Sequence, residues 1–161
     1  MKKLNLKNKK GFTLVELLAV IVVLAIIILI AMPSVMNSMA KARRNSFVIE
    51  ANEVIKSAQT AYSEFLSNGG AGSTLCVPYD VLKEAGYIEK NDDKYKGSVL
   101  ITVSETGAST YQVWLSSGTY IIDGVLASEL DNGDATQSTL AASVDCNKTS
   151  GVGVLKTSDL K

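Results

Sequence analysis

Lys9-Lys10-Gly11-Phe12-Thr13-Leu14-Val15-Glu16-Leu17 decides the fold, because a basic segment gives way there to an apolar one. From Phe12 to Met32, a block of 21 residues, only Thr13 and Glu16 are polar. At about 1.5 Å rise per residue, such a block makes a helix roughly 30 Å long, which matches the hydrocarbon core of a bilayer. It exceeds the apolar region of a conventional secretory signal, typically about 7–15 residues. The rest of the chain reads as one modest soluble domain.

Working outward toward the N-terminus, residues 1–11 hold Lys2, Lys3, Lys7, Lys9 and Lys10 and no acid. The formal net charge of zero conceals this asymmetry: without those five lysines the chain stands at −5. Basic flanks stay on the cytoplasmic side, so the N-terminus is expected inside and the acidic C-terminal part outside. Lys41, Arg43 and Arg44 follow the block and oppose this signal, but they are three against five. An acidic outer domain also argues against non-specific nucleic-acid affinity.

Toward the C-terminus the helical signal continues. Phe47, Ala51, Val54, Ala58, Ala61 and Phe65 recur at alternating steps of four and three, forming one apolar stripe. Glycines in Ser67-Asn68-Gly69-Gly70-Ala71-Gly72 are expected to stop the helix. A single helix from about Phe12 to Leu66 would be roughly 80 Å long. Pro33 lies inside it, deletes one backbone hydrogen bond and crowds the Leu29 carbonyl, so a kink is expected there. The alternative is that Pro33 begins a second helix.

Beyond the glycines, Val77 to Ala85 reads as a short helix, with Pro78 near its start and Gly86 after its end. Strand signals follow at Ser98–Ser104, Thr110–Leu115 and Thr119–Ile122, with a tight Ser117-Gly118 turn before the last. These are expected to form an antiparallel meander. Val99, Ile101, Val103, Tyr111, Val113 and Leu115 face one way and Trp114 the other. Residues 124–161 are weakly patterned; Leu140–Val144 and Gly153–Leu155 suit a short helix or edge strands.

Cys76 and Cys146 are the only cysteines, and both fall in the part expected outside the cell. An oxidising exterior permits a disulfide between them; two buried free thiols are the alternative. The chain has no histidine, which excludes a Ser-His-Asp triad, a Cys-His pair and His-based zinc sites. The loop Gly69–Thr74 lacks the lysine of a phosphate loop, and Gly151-Val152-Gly153 lacks the third glycine of a dinucleotide fingerprint. Asp131-Asn132-Gly133-Asp134 suits a turn, without the later glutamate of a calcium loop. Asn147-Lys148-Thr149 is a glycosylation sequon. The six tyrosines and Trp114 form no spaced stacking platform and suit core or subunit contacts. No cofactor or metal is expected, and no enzyme activity.

The junction resembles that of type IV prepilins, whose pattern is a short basic leader ending in glycine, then Phe-Thr-Leu-Val-Glu-Leu opening an apolar helix. The resemblance covers the leader, junction, acidic residue, apolar run and Pro33, and more loosely the long helix followed by a sheet. It implies an α+β, type IV pilin-like fold: a long kinked N-terminal helix packed on a small antiparallel sheet. The expected parts are a cleaved leader (1–11), a membrane or filament-core half-helix (12–32), an amphipathic half (33–66) and a globular domain (67–161).

The resemblance also implies site residues. Gly11 would precede the cut by a prepilin peptidase, its missing side chain allowing close approach. Phe12 would become an N-methylated terminus. Glu16 would pair with the Phe12 amine of a neighbouring subunit, since a carboxylate in an apolar segment costs about 2.5–3.5 kcal/mol by insertion scales and needs a compensating charge. The simpler reading is that Glu16 sits shallow, near the positive end of the helix. Pro33 would soften the helix in the fibre. The implied function is a structural subunit of a homo-oligomeric helical filament. It would sit in the cytoplasmic membrane before assembly by an ATPase and platform protein, and outside the cell afterwards, serving adhesion, aggregation, twitching motility or DNA uptake. Rival expectations are a pseudopilin of a secretion or competence system, an uncut membrane-anchored enzyme or binding domain, and a conventional signal cut after Ala40.

Overall fold

The computed structural model describes residues 11–89, 94–137, 146 and 152–160. The basic leader up to Lys10, the Leu140–Val144 segment, the sequon and Gly151 lie outside them. The chain divides into two compact units, Met1–Lys41 and Ala42–Lys161.

In the first unit the described residues are helical from Leu14 onward, and every one of them is solvent-exposed. They belong to α1 (Leu14–Ser67), whose helical assignment passes through Pro33 without a break. Pro33 therefore does not start a second helix.

The second unit is built on the remainder of α1. Phe47, Ala51, Val54, Ala58 and Ala61 are buried, joined by Val48, Ile55 and Tyr62, while Phe65 is half-buried at the end of the stripe. Three of these positions are alanines with no exposed surface, which lets the helix backbone approach its partners closely. The helix stops as its glycines suggest. Gly69 adopts φ +84°, its N–H bonds the Leu66 carbonyl at 3.1 Å, and the Gly70 N–H reaches back to Phe65 at 2.9 Å. That is a Schellman motif, in which the left-handed residue is tolerated because it lacks a Cβ.

Among the described residues the sheet has six strands, in the order β5-β4-β3-β2-β1-β6. They are β1 (Thr74–Pro78), β2 (Lys96–Val103), β3 (Ser109–Ser116), β4 (Tyr120–Leu126), β5 (Thr136–Gln137) and β6 (Gly153–Val154). The β2-β3-β4 meander is antiparallel as expected, and β1 adds antiparallel to β2. However, β6 pairs parallel with β1, so the sheet is mixed and larger than the three-strand antiparallel meander expected. Val77 belongs to β1, and α2 is confined to Tyr79–Ala85. The reason is burial on both faces: Leu75, Cys76 and Val77 are all buried, so this strand shows no alternation by which to recognise it.

The β3-β4 turn also differs by one residue. Ser116 pairs with Ile121, and the Ser117 N–H bonds the Tyr120 carbonyl at 3.0 Å, leaving Gly118-Thr119 as the central pair. Gly118 has φ +78° and Thr119 does not have positive φ, the pattern of a type II′ hairpin.

Val99, Ile101, Val113, Leu115 and Ile122 share one core with the α1 stripe, Leu82 of α2 and Leu155 after β6. Aromatic rings gather on Phe47, with Tyr95 and Tyr120 centroids 6.1 and 6.0 Å away and Tyr79 6.2 Å from Tyr95. These tyrosines serve the core. The Asp131–Asp134 segment is a turn: the Asp134 carboxylate accepts the Asp131 N–H at 2.7 Å, and the Asp131 carboxylate accepts the Asn132 N–H at 2.6 Å.

Candidate functional site

The site expected from the sequence is the N-terminal junction. Gly11 is exposed, does not have positive φ, and has open space where a Cβ would stand. Neither packing nor backbone conformation in the protomer requires glycine at this position. Phe12 follows with 85% of its surface exposed, so its ring is not anchored to the chain's own core.

Thr13 and Glu16 are joined in a way the apolar-run reading did not anticipate. α1 begins at Leu14, which makes Thr13 the N-cap and Glu16 the third helical residue. The Glu16 Oε2 accepts the Thr13 N–H and the Thr13 hydroxyl, both at 2.9 Å. The Glu16 N–H in turn donates to Thr13 Oγ1 at 3.3 Å. This reciprocal arrangement is a capping box, which satisfies backbone donors that the first helical turn leaves open. Its signature, Thr-x-x-Glu at the head of an apolar run, is present in Thr13-Leu14-Val15-Glu16 and could have been read directly. Both bonds to the carboxylate fall on Oε2; among the described residues Oε1 has no hydrogen-bond partner.

Downstream, Leu14 to Leu29 expose half or more of each large apolar side chain, so this stretch of α1 is not covered by any of the described residues. It is long and apolar enough to cross a membrane, by length and composition. Pro33 lies just past the apolar block.

Away from the junction, Cys76 of β1 is joined to Cys146 in a disulfide, with Cα atoms 5.7 Å apart across a sequence separation of 70. A cavity of about 390 Å³ lies between α1 and the residues following α2, lined by Glu50, Glu53, Ser57, Tyr79, Tyr87 and Glu89 among others. Two of its hydroxyls are committed: Ser57 donates to the Tyr87 carbonyl at 3.1 Å, and the Tyr87 hydroxyl donates to Glu64. Loss of hydration and the Glu64 carboxylate push the Tyr87 phenol up to about 12, so it stays protonated and is no general base at neutral pH.

The functional reading therefore rests on the N-terminus. No solved structure matches the chain. Residues 6–32 match the family model described as the prokaryotic N-terminal methylation motif, which spans the end of the basic leader, Gly11-Phe12, the capping box and the whole apolar block. The chain thus carries, at its N-terminus, the class III leader of type IV pilins, ahead of an α+β domain of pilin-like architecture.

Proposed function

We propose that the chain is the precursor of a structural subunit of a type IV pilus. A prepilin peptidase cuts between Gly11 and Phe12 and the new amine of Phe12 is methylated. The processed subunit then leaves the cytoplasmic membrane, driven by an assembly ATPase and platform protein, and polymerises through α1 into an extracellular filament. The observation that carries this reading is the methylation motif at residues 6–32. The same motif fits a pseudopilin, which shares the processing and differs in the length of what is assembled. The acidic residues 131–134 engage their own backbone, which favours the pilus subunit over the calcium-binding kind of pseudopilin.

The geometry of Glu16 supports the assembly step. Capping uses Oε2 only, so Oε1 can accept the Phe12 amine of an adjoining subunit without dismantling the first turn. Every arrangement that leaves either charge alone in an apolar filament core is penalised, and the pair sets the stagger. Pro33 provides a softened point in α1, because its ring cannot supply the hydrogen bond that a regular turn would make there. The Cys76–Cys146 bridge ties β1 to the far end of the chain in the exported domain.

The test is intact mass with N-terminal sequencing of material sheared from the cell surface. The expected result is a subunit starting at methyl-Phe12, two hydrogens lighter than its reduced form, in long filaments. A surface protein that retains Met1 would point instead to an uncut anchor; short or absent filaments with a correct terminus would point to a pseudopilin.

A further inference from the structure

The chain has four methionines, Met1, Met32, Met36 and Met39. The last three are spaced four and three residues apart, so they lie on one face of α1. They expose 58%, 64% and 52% of their surfaces. Leu18, Val22, Ala25 and Leu29 precede them at the same alternation of four and three, so the methionines extend an apolar stripe past the apolar block and past Pro33. Immediately afterwards the chain turns basic at Lys41, Arg43 and Arg44. The stripe therefore changes at Met32 from aliphatic residues to thioethers, on the side of the membrane expected to face outward. Unbranched thioethers adapt to uneven partners, but they are also the one apolar side chain that mild oxidants make polar.

We propose that Met32, Met36 and Met39 form an oxidation-sensitive contact face, sulfoxidation of which by extracellular peroxide blocks subunit packing. The inference rests on the filament reading, because the partner on this face is a second copy of α1: the methionines continue without offset the exposed stripe that this reading places between subunits. In the chemical step a sulfur lone pair attacks one peroxide oxygen. The O–O bond breaks as the S–O bond forms, the departing hydroxide takes up the proton as water, and each thioether is oxidised by two electrons while one peroxide is reduced. The product carries a strongly accepting oxygen where the face is otherwise apolar; the first donor on it is Arg43, one turn beyond Met39, so at Met32 and Met36 the oxidised seam leaves polar groups buried and unpaired.

The experiment compares the full-length chain, expressed in piliated cells, with a Met32→Leu/Met36→Leu/Met39→Leu variant that keeps apolar bulk and removes sulfur. Cells are stripped of filaments by shearing, exposed to hydrogen peroxide and allowed to regrow them; intact mass counts the oxygens gained by the subunit. Expected is an uptake of three oxygens by the parent chain and a fall in regrown filament of about tenfold or more, reversed by methionine sulfoxide reductases, with the leucine variant regrowing equally with and without peroxide. Full regrowth by parent subunits carrying three added oxygens overturns the proposal alone, as does an equal loss in the leucine variant. An untreated parent chain that forms no filament overturns the filament reading, and this inference with it.

Discussion

Glu16→Gln separates the two roles open to this carboxylate. In the protomer Glu16 accepts the N–H and the hydroxyl of Thr13, each at 2.9 Å. A glutamine at the third helical position can make the same contacts, since capping boxes use either residue, so the first turn should survive. Only the charge is lost. If the neighbouring Phe12 amine depends on that charge, the variant leaves it uncompensated in apolar surroundings, at about 3–5 kcal/mol per contact. That corresponds to about two to more than three orders of magnitude in the assembly equilibrium. Thr13→Ala makes the converse change: it deletes the hydroxyl and both of its bonds, keeps the carboxylate, and costs about 1 kcal/mol of helix stability, about a fivefold effect if fully transmitted. The assay is the mass of sheared surface filament relative to subunit in the membrane fraction, measured for both variants beside the parent. Glu16→Gln should accumulate in the membrane with no filaments, whereas Thr13→Ala should retain most of them. Filaments at parental yield in Glu16→Gln would refute the charge-pairing argument. Parental yield in Glu16→Gln together with a loss in Thr13→Ala would mean that capping is the whole role of Glu16.

Other consequences concern the second unit. Reducing Cys76–Cys146 releases a constraint over a sequence separation of 70, about 4 kcal/mol in the chain-entropy model, and should lower the urea midpoint by about 2 M; a shift below about 0.5 M would contradict this. Tyr87, raised to about 12 by lost hydration and by Glu64, favours the folded state while protonated. Its contribution is thus complete below its ordinary value of about 10 and is lost as pH rises through about 12. A phenolate absorbance titration should contain a component near 12, which Glu64→Gln should move to lower pH. Gly97→Ala places a Cβ 2.2 Å from the Trp114 backbone oxygen and should cost about 2 kcal/mol or more on thermal unfolding. Gly133→Ala, which meets open space, should stay within about 0.5 kcal/mol.

How much of this architecture could be read beforehand depended on whether an element had one wet face. The stripe Phe47-Ala51-Val54-Ala58-Ala61 contrasts an apolar side with a polar one, the β-branched and leucine alternation through Val99-Ile101 and Val113-Leu115 marks one face of each strand, and all of these residues are buried. β1 offers no such contrast, because Cys76 is as buried as its neighbours, and β5 and β6 are two residues each, too short for any period to appear. Parallel pairing of β6 with β1 is a long-range contact that no local pattern encodes. At the junction, Gly11, Phe12 and Glu16 stand out in the sequence, but the bond between Thr13 and Glu16 was not read from it. Glu16 stood out by the cost of a charge among Leu and Val, which drew attention away from its position three residues after Thr13.

The placement of β6 bears on how the chain can be handled. The Leu155 N–H is bonded to the Cys76 carbonyl, Leu155 and Leu160 lie in the core, and Thr157 bonds Glu84 of α2. The final stretch of the chain is therefore a keystone beside the first strand of the sheet, and β1 lacks one of its neighbours until that stretch has emerged and docked. Epitope tags or deletions near Val154 would pull at this closure. The exposed bend around Gly107, between β2 and β3, offers a site for insertions that leaves the keystone seated.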